Sequence, residues 1–239
     1  KSQQAYRMAT TAWEIEEAKR TGRQPTTSNV DPVAVDFNAD ELQGFLLHFI
    51  GQAKEKTDKY MADPNVFLVD ESMVLAGTAK AIGDRPAFFH FRPYLDDEQQ
   101  LHLDLHQVMV GKAHIPLWMV SSKIQKVTEQ LKLSIPEWQK KAKFEPTGLA
   151  NREAANIVMA RLLLQGLAEK PSPPVIFVPV IGDKDSFVAA HVSELEVKTE
   201  NGDGPEERKY LHVKLQPLNQ QDRDLLQSYI ARPYPDASE

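Results

Sequence analysis

The spacing of apolar residues predicts helices in three long stretches of the chain. Behind Asn38, apolar side chains recur every three or four residues over residues 42–53, which is the spacing of one helical face. Asn38 and Glu41 form a capping-box pair at the start of this helix, and Asp63-Pro64-Asn65 is expected to end it. Two further segments share the spacing, and the three together are predicted to be the main helices: residues 117–131 and about 149–168.

Shorter helices are predicted near the two ends of the chain. Small and apolar residues recur at helical spacing from Lys1 to Lys19, and Gly22 with Pro25 should end that helix. Asn219 is a candidate cap for a final helix to Ile230.

Alternating or continuous apolar runs predict strands between these helices. Within residues 101–110 the apolar positions change parity, which predicts a β-bulge near His106 and Gln107. Val175–Val180 is almost entirely apolar, as expected of a strand that is buried on both faces. The chain turns at Gly111 and is expected to enter the 117–131 helix through Pro116. The other predicted strands are 33–37, 66–69, 73–79, 87–91, 187–197 and 209–216.

These elements predict an α+β protein with an antiparallel sheet of about six or seven strands and three main helices packed on it. Tight turns at Asp70-Glu71 and at Asp96-Asp97-Glu98 favour antiparallel hairpins. The expected organisation is an N-terminal helical extension and linker in residues 1–30, a single α+β domain in 31–217, and a C-terminal helix and tail in 218–239.

Composition excludes several classes of function. The 239 residues contain no cysteine, so disulfides, thiolate metal sites and a cysteine nucleophile are absent. A net charge of -6 with dispersed cations argues against nucleic acid as a partner. No glycine-rich phosphate loop and no Gly-x-Ser-x-Gly motif is present. We therefore expect no cofactor and no enzymatic activity.

One strand carries a weak candidate for a metal site. His102, Asp104 and His106 alternate, so an unbroken strand would place all three on one face, and such side chains bind zinc or iron. His114 is a possible fourth ligand if the Gly111 turn folds it back. A half-exposed strand with a polar outer face explains the same pattern, and no metal is the expectation.

Large aromatic rings suggest a binding site for an apolar ligand. Phe45 and Phe49 lie on the helical stripe, and Phe89 and Phe91 share one face of a strand. These rings either line a groove or fill an ordinary core. If a groove exists, Arg85 or Arg92 would lie near its mouth and hold an anionic head group.

The middle of the chain resembles uncharacterised bacterial membrane-anchored envelope proteins with a YpmS-like domain of unknown function. The resemblance covers roughly residues 33–131, with a weaker echo in 175–179, and the step from strand through Gly111 and Pro116 to helix is also similar to tubular lipid-binding domains. The motifs that carry it are Phe37-Asn38-Ala39-Asp40-Glu41-Leu42, Val74-Leu75-Ala76-Gly77-Thr78, Pro93-Tyr94-Leu95-Asp96-Asp97 and the Leu-x-Leu-x-Leu strand that begins at Leu101.

This resemblance implies an extracytoplasmic domain at the cell envelope, held to the membrane by an anchor upstream of Lys1. The expected function is non-enzymatic binding of an apolar small molecule or lipid. One alternative is a structural module that binds another envelope protein. The other is a metal-dependent hydrolase built on His102, Asp104 and His106.

Overall fold

The computed structural model describes most of the chain. Side chains of residues 45–50, 163, 166 and 167 are outside the description. The described residues are 1–24, 30–50, 61–80, 83–119, 129, 133–167, 170–180, 183, 185–200 and 208–231.

Four helices have defined bounds, and both the predicted capping pair of Asn38 with Glu41 and the predicted cap Asn219 are confirmed. The Asn38 side chain accepts a hydrogen bond from the Glu41 amide at 2.9 Å, and the Glu41 carboxylate accepts one from the Asn38 amide at 3.0 Å. Asn219 and Asp222 repeat this exchange at 2.8 and 3.1 Å. Residues 133–139 are also helical. The four helices are α1 (Ser2–Arg20), α2 (Ala39–Ile50), α3 (Arg152–Leu167) and α4 (Gln220–Ala231).

The strands form two five-stranded sheets, and every pairing is antiparallel. Sheet 1 contains β1 (Val33–Phe37), β7 (Leu149–Asn151), β8 (Val175–Pro179), β9 (Ser186–Glu200) and β10 (Arg208–Gln216), and sheet 2 contains β2 (Met61–Val69), β3 (Ser72–Ala79), β4 (Arg85–Leu95), β5 (Leu101–Val110) and β6 (Ala113–Ile115).

The α+β class with antiparallel strands is thus confirmed, whereas a single sheet of six or seven strands is not observed. The division arises because β1 pairs with β10, near the other end of the chain, while β2 to β6 pair in sequence order as a meander. Local periodicity identifies strands but does not carry information about such distant pairing.

The part of sheet 1 formed by β8 and the first half of β9 is buried on both faces. Val175, Phe177 and Phe187 belong to a core cluster with α3 and α4, and Val178 and Val188 belong to a second cluster with α1. Phe187, Val188, Ala189 and Ala190 on β9 have no exposed surface. The prediction that Val175–Val180 is a strand buried on both faces is therefore confirmed for the residues of β8, since Val175 and Phe177 are buried on one face and Val178 on the other.

Helices α1 and α4 contact each other beside sheet 1. The Arg223 guanidinium, which is buried, donates to the Glu16 carboxylate at 2.5 Å and to the Leu218 carbonyl at 2.7 Å. It also lies over the Trp13 ring, 5.6 Å from the ring centroid. These contacts join the N-terminal helix to the C-terminal helix.

The edge strand β2 of sheet 2 contains a β-bulge. Asp63-Pro64-Asn65 lies inside β2, where the register shifts between Ala62 and Asn65, so the prediction that it ends α2 is wrong. The Gln43 amide donates to the Pro64 carbonyl at 2.5 Å and its oxygen accepts from the Val66 amide at 2.7 Å. Because a bulge interrupts strand pairing, the side chain from α2 supplies the bonds that a neighbouring strand would otherwise make.

The central strands of sheet 2 pair as antiparallel hairpins, as predicted. The register of β4 and β5 shifts between His90 and Phe91, which confirms the bulge at His106. After the Gly111 turn, β6 pairs with β5 before residues 117–119 become helical, so a strand precedes the expected helix. Most of the predicted 117–131 helix lies outside the described residues. In the part of the chain that is described, no helix is long and apolar enough to span a bilayer.

Candidate functional site

The inner face of sheet 2 is defined here as the face that carries Leu95, which packs against the core of sheet 1. Strand alternation and register place two rows of apolar residues from β3, β4 and β5 on this face. Leu75 pairs with Phe89 and Phe89 with Val108, while Met73 pairs with Phe91 and Phe91 with Leu105. The structure therefore brings Phe89 and Phe91 together with apolar residues of both neighbouring strands.

Several large side chains of this face are only partly buried, although β3 and β4 lie inside the sheet rather than at its edge. The partly buried residues on these strands and on β5 are Met73, Leu75, Phe89, Phe91 and Leu103. Close packing normally buries such residues completely when they occupy central strands. The inner face is therefore only partly closed: Ala87, Leu105 and Val108 on it are buried, whereas Phe89 and Phe91 keep some exposed surface.

The two candidate arginines lie on opposite faces. Arg85 shares the inner-face parity of Phe89 and Phe91, and it is exposed at the first position of β4. Arg92 has the other parity, and its guanidinium binds the Glu71 carboxylate at 2.5 Å. A ligand whose chain lay beside Phe89 and Phe91 would thus have Arg85 at one end of the same face, whereas Arg92 is directed to the outer face.

Helix α2 lies beside the edge strand β2 of this sheet. Gln43 fixes the helix to β2 through the two hydrogen bonds at the bulge. The side chains of Phe45 and Phe49 lie outside the described residues, so their prediction as ligand-binding residues stays a prediction.

The outer face of sheet 2 is polar near the β4–β5 turn. The Tyr94 hydroxyl donates to Asp104 at 3.0 Å, and the Tyr94 and His102 rings stack with centroids 4.7 Å apart. His102 Nε2 lies 2.9 Å from Asp96 Oδ2, and its Nδ1 lies 3.9 Å from Asp104 Oδ1, which is beyond hydrogen-bonding distance. Tyrosine, imidazole and two carboxylates thus hold the end of the hairpin together.

The same contacts shift two pKa values. Burial, followed by the hydrogen bond to Asp104, raises the pKa of Tyr94. The backbone amide of Gln100, followed by His102, lowers the pKa of Asp96. Asp96 therefore stays ionised and paired with His102, and Tyr94 stays a neutral hydrogen-bond donor. This arrangement suits positioning of the turn better than proton transfer at neutral pH.

Histidines from three strands lie further along the outer face. The rings of His90 and His106 are 6.0 Å apart between centroids, and the bulge places His106 Nε2 3.5 Å from the Ser72 hydroxyl. The side-chain amide nitrogen of Gln107 donates to His114 Nδ1 at 2.8 Å. Burial, and then the proximity of His106 and His114, lowers the pKa of His90.

The bulge also separates the three weak metal-ligand candidates. His102 and Asp104 remain neighbours, while His106 contacts Ser72 and His90 instead. Across the residues that the structure describes, no group of three or more histidine or acidic side chains is arranged to hold a metal ion.

Sequence reasoning missed the partners that complete these surfaces. Met73 and Leu75 join the inner face, and Tyr94 and Ser72 join the outer face, only because strand register places them there. The sequence predicts which residues of one strand share a face, but it does not predict which residues of two neighbouring strands are paired.

Comparison of the chain with models of protein families, with curated proteins and with solved structures finds no match, so the functional proposal depends on these two faces.

Proposed function

We propose that this protein is a non-enzymatic binding protein whose inner face of sheet 2 holds an apolar ligand, namely the acyl chain of a lipid or fatty acid. The observation that carries the proposal is the row of partly buried apolar side chains on the central strands β3 and β4. An acyl chain would remove this surface from water at roughly 25 cal/mol for each Å² of apolar area.

Arg85 supports a ligand with an anionic head group. It lies on the inner face at the start of β4, and no ion pair joins it to a described residue. A carboxylate or phosphate at this end would form a charge-assisted contact while its chain lies against Phe89 and Phe91. An extracytoplasmic position at the cell envelope is part of this proposal, and the resemblance of residues 33–131 to envelope proteins supports it.

Equilibrium titration with a fluorescent fatty acid tests the ligand site. The delipidated protein is expected to bind one molecule per chain with micromolar affinity, because apolar contact without many polar anchors gives moderate binding. Phe89→Glu places a charge on the inner face and should abolish binding. Leu75→Trp fills the face without adding charge and should weaken binding, which keeps the test informative if the first variant unfolds.

Phe67→Glu is the matched control for these variants. Phe67 lies on β2 of the same sheet but has outer-face parity, since it pairs with Val74, and it is 48% exposed. Binding by this variant should equal that of the unmodified protein. Equal loss in Phe67→Glu and Phe89→Glu, or no saturable binding by the unmodified protein, would contradict the proposal.

A protein-binding module is the second candidate function. Phe67 and Val69 are both exposed on β2, an edge strand of sheet 2, and exposed apolar side chains at a sheet edge are typical of strand-addition interfaces. The Phe67→Glu variant separates the two candidates, because it should disrupt an edge interface and leave fatty-acid binding intact.

A further inference from the structure

The side chain of Gln43 occupies part of the outer edge of sheet 2. Strand β2 is an edge strand, because the strand order places β3 on one side of it and no described strand on the other. The Gln43 amide nitrogen donates to the Pro64 carbonyl at 2.5 Å, and its oxygen accepts from the Val66 amide at 2.7 Å. One side-chain amide therefore fills two backbone hydrogen-bonding positions that an added strand would use.

The spacing of these two contacts matches parallel strand pairing. In a parallel pair, a residue donates to the carbonyl of one residue on the neighbouring strand and accepts from the amide two positions further on. Pro64 and Val66 are two positions apart, so Gln43 reproduces the two bonds of a single residue in a parallel strand. The side chain thus stands in for one residue of an added strand.

The proline in this segment favours the same orientation. A residue of an antiparallel neighbour would exchange two bonds with Pro64, and proline has no N–H to donate. A parallel neighbour needs only the Pro64 carbonyl and the Val66 amide at this point. Since backbone groups two positions apart point to the same side of a strand, the carbonyl of Val66 and the amide of Leu68 continue the pattern. Parallel addition therefore satisfies the edge without the missing donor.

The side chains along this edge indicate what such a strand would contain. Phe67 and Val69 are 48% and 41% exposed, and a strand about 4.8 Å from β2 would bring its own side chains against both. Asp63, before them on β2, is exposed and forms no ion pair with a described residue. The edge therefore fits a segment with alternating apolar residues and a basic residue near its amino end.

We propose that the edge of β2 binds an extended peptide segment of a partner protein as an added parallel strand, and that Gln43 closes this edge until the segment displaces it. The segment takes over the two hydrogen bonds of the Gln43 amide. Its apolar side chains pack on Phe67 and Val69, and its amino end lies beside Asp63. This inference goes beyond the ligand site on the inner face and does not depend on it, and it defines the partner of the protein-binding candidate by its chemistry.

Fluorescence anisotropy with a labelled peptide tests whether Gln43 closes the edge. The probe is a short peptide of alternating valine and threonine behind an amino-terminal lysine. Gln43→Leu should bind it about tenfold more tightly than the unmodified protein, because the peptide no longer displaces two hydrogen bonds that each contribute roughly a factor of three. The same peptide with a central proline should not bind, since it lacks a backbone donor.

Two further variants control for effects on the fold. Gln43→Glu keeps the acceptor for the Val66 amide but has no donor for the Pro64 carbonyl, so its gain in affinity should be intermediate. Gln107→Leu is the matched control, because Gln107 lies on the central strand β5 and donates to His114 instead of the edge. This variant should bind the peptide as the unmodified protein does.

Disulfide cross-linking measures the orientation of the bound peptide. The chain has no cysteine, so Asp63→Cys and Asp70→Cys each place a single thiol at one end of β2. The two positions are matched, since both are exposed and have similar positive φ angles of 49° and 51°. A cysteine at the amino end of the peptide should cross-link to Asp63→Cys, because the ends of β2 are too far apart for one thiol to reach both.

Equal affinity of the unmodified protein and Gln43→Leu would overturn the proposal, as would an equal gain in Gln107→Leu or no saturable binding by any variant. Preferential cross-linking to Asp70→Cys would show an antiparallel strand and contradict it as well. Fatty acid should not compete with the peptide, and competition would place the peptide on the inner face and overturn the edge site. Peptide binding without fatty-acid binding supports this proposal and contradicts the ligand proposal alone.

Discussion

The two sheets of this protein differ in how they bury their apolar residues. On β9 of sheet 1, Phe187 and Val188 point to opposite faces and neither has exposed surface, because helices cover both sides. On β4 of sheet 2, Phe89 and Phe91 are similar in size and equally central, yet they remain partly exposed. Phenylalanine is thus completely buried in sheet 1 and only partly buried in sheet 2.

This difference suggests a division of roles. A closed core gives each buried side chain many contacts, and truncation there leaves a cavity. A half-open face gives fewer contacts and a smaller cost of truncation. Sheet 1 with α1, α3 and α4 would then supply most of the stability, and sheet 2 would supply the binding surface.

Truncation of one phenylalanine in each sheet should have the largest and most different effects. Phe187→Ala is expected to lower the free energy of unfolding by about 3–5 kcal/mol, because the ring is completely buried. Phe89→Ala should lower it by about 1 kcal/mol, since part of that ring already contacts water. Denaturant unfolding measures both values. Equal losses would show that the two sheets are packed alike.

A side chain added at Gly77 should destabilise sheet 2 by steric conflict at the β2 bulge. A Cβ atom at this position would lie 2.5 Å from Met61 Cγ and 2.9 Å from the Ala62 carbonyl oxygen. Gly77→Ala should therefore cost about 1–3 kcal/mol in thermal or chemical unfolding.

Gly44 on α2 provides the control for Gly77, because a Cβ atom there would contact nothing within 4 Å. Gly44→Ala should stabilise the protein by up to about 1 kcal/mol, as alanine favours the helix. A neutral Gly77→Ala variant would mean that the bulge adjusts easily and that β2 does not limit the shape of sheet 2.

Removal of the two capping side chains compares the helices that border the two sheets. Asn219→Ala and Asn38→Ala should each cost about 1 kcal/mol, because each removes a side-chain acceptor from a helix N-terminus. Only Asn38→Ala should also weaken fatty-acid binding, since α2 is bonded to β2 of the sheet that carries the inner face. Reduced binding in Asn219→Ala as well would indicate a general loss of folded protein.

The smallest expected effect concerns pH and the outer face of sheet 2. Burial lowers the pKa of His90, so the unfolded chain binds a proton more readily than the folded one. The folded protein therefore keeps His90 neutral below the ordinary histidine pKa of 6.5, while the unfolded chain becomes protonated there, so stability decreases as pH falls below 6.5. His90→Gln should reduce the slope of stability against pH between about 6.5 and 5. An unchanged slope would assign the acid sensitivity to other groups.

Local features of the fold were readable from the sequence, whereas its long-range organisation was not. Residue type within a few positions predicts the helix caps at Asn38 and Asn219. The change in the alternation of apolar residues along β5 predicts the bulge at His106. The separation into two sheets depends on β1 pairing with β10, which no local pattern encodes.

Some features of the candidate site could likewise be predicted from the sequence, and others could not. The shared face of Phe89 and Phe91 follows from strand alternation alone, which also directs Arg92 away from Arg85. The contact of Arg92 with Glu71 and the position of Leu75 beside Phe89 require the strand register. Asp63-Pro64-Asn65 was misassigned because proline favours a helix end locally, but the same residues form a bulge when an edge strand is available.

Native mass spectrometry of gently purified protein tests most directly whether the inner face of sheet 2 holds a lipid. We expect a species heavier than the chain by the mass of one lipid or fatty acid, which organic extraction removes. The extracted protein should unfold at a lower temperature and recover its midpoint when fatty acid is added. Protein without any bound lipid, together with an unfolding midpoint that added fatty acids and phospholipids do not raise, would contradict the account and favour the protein-binding module.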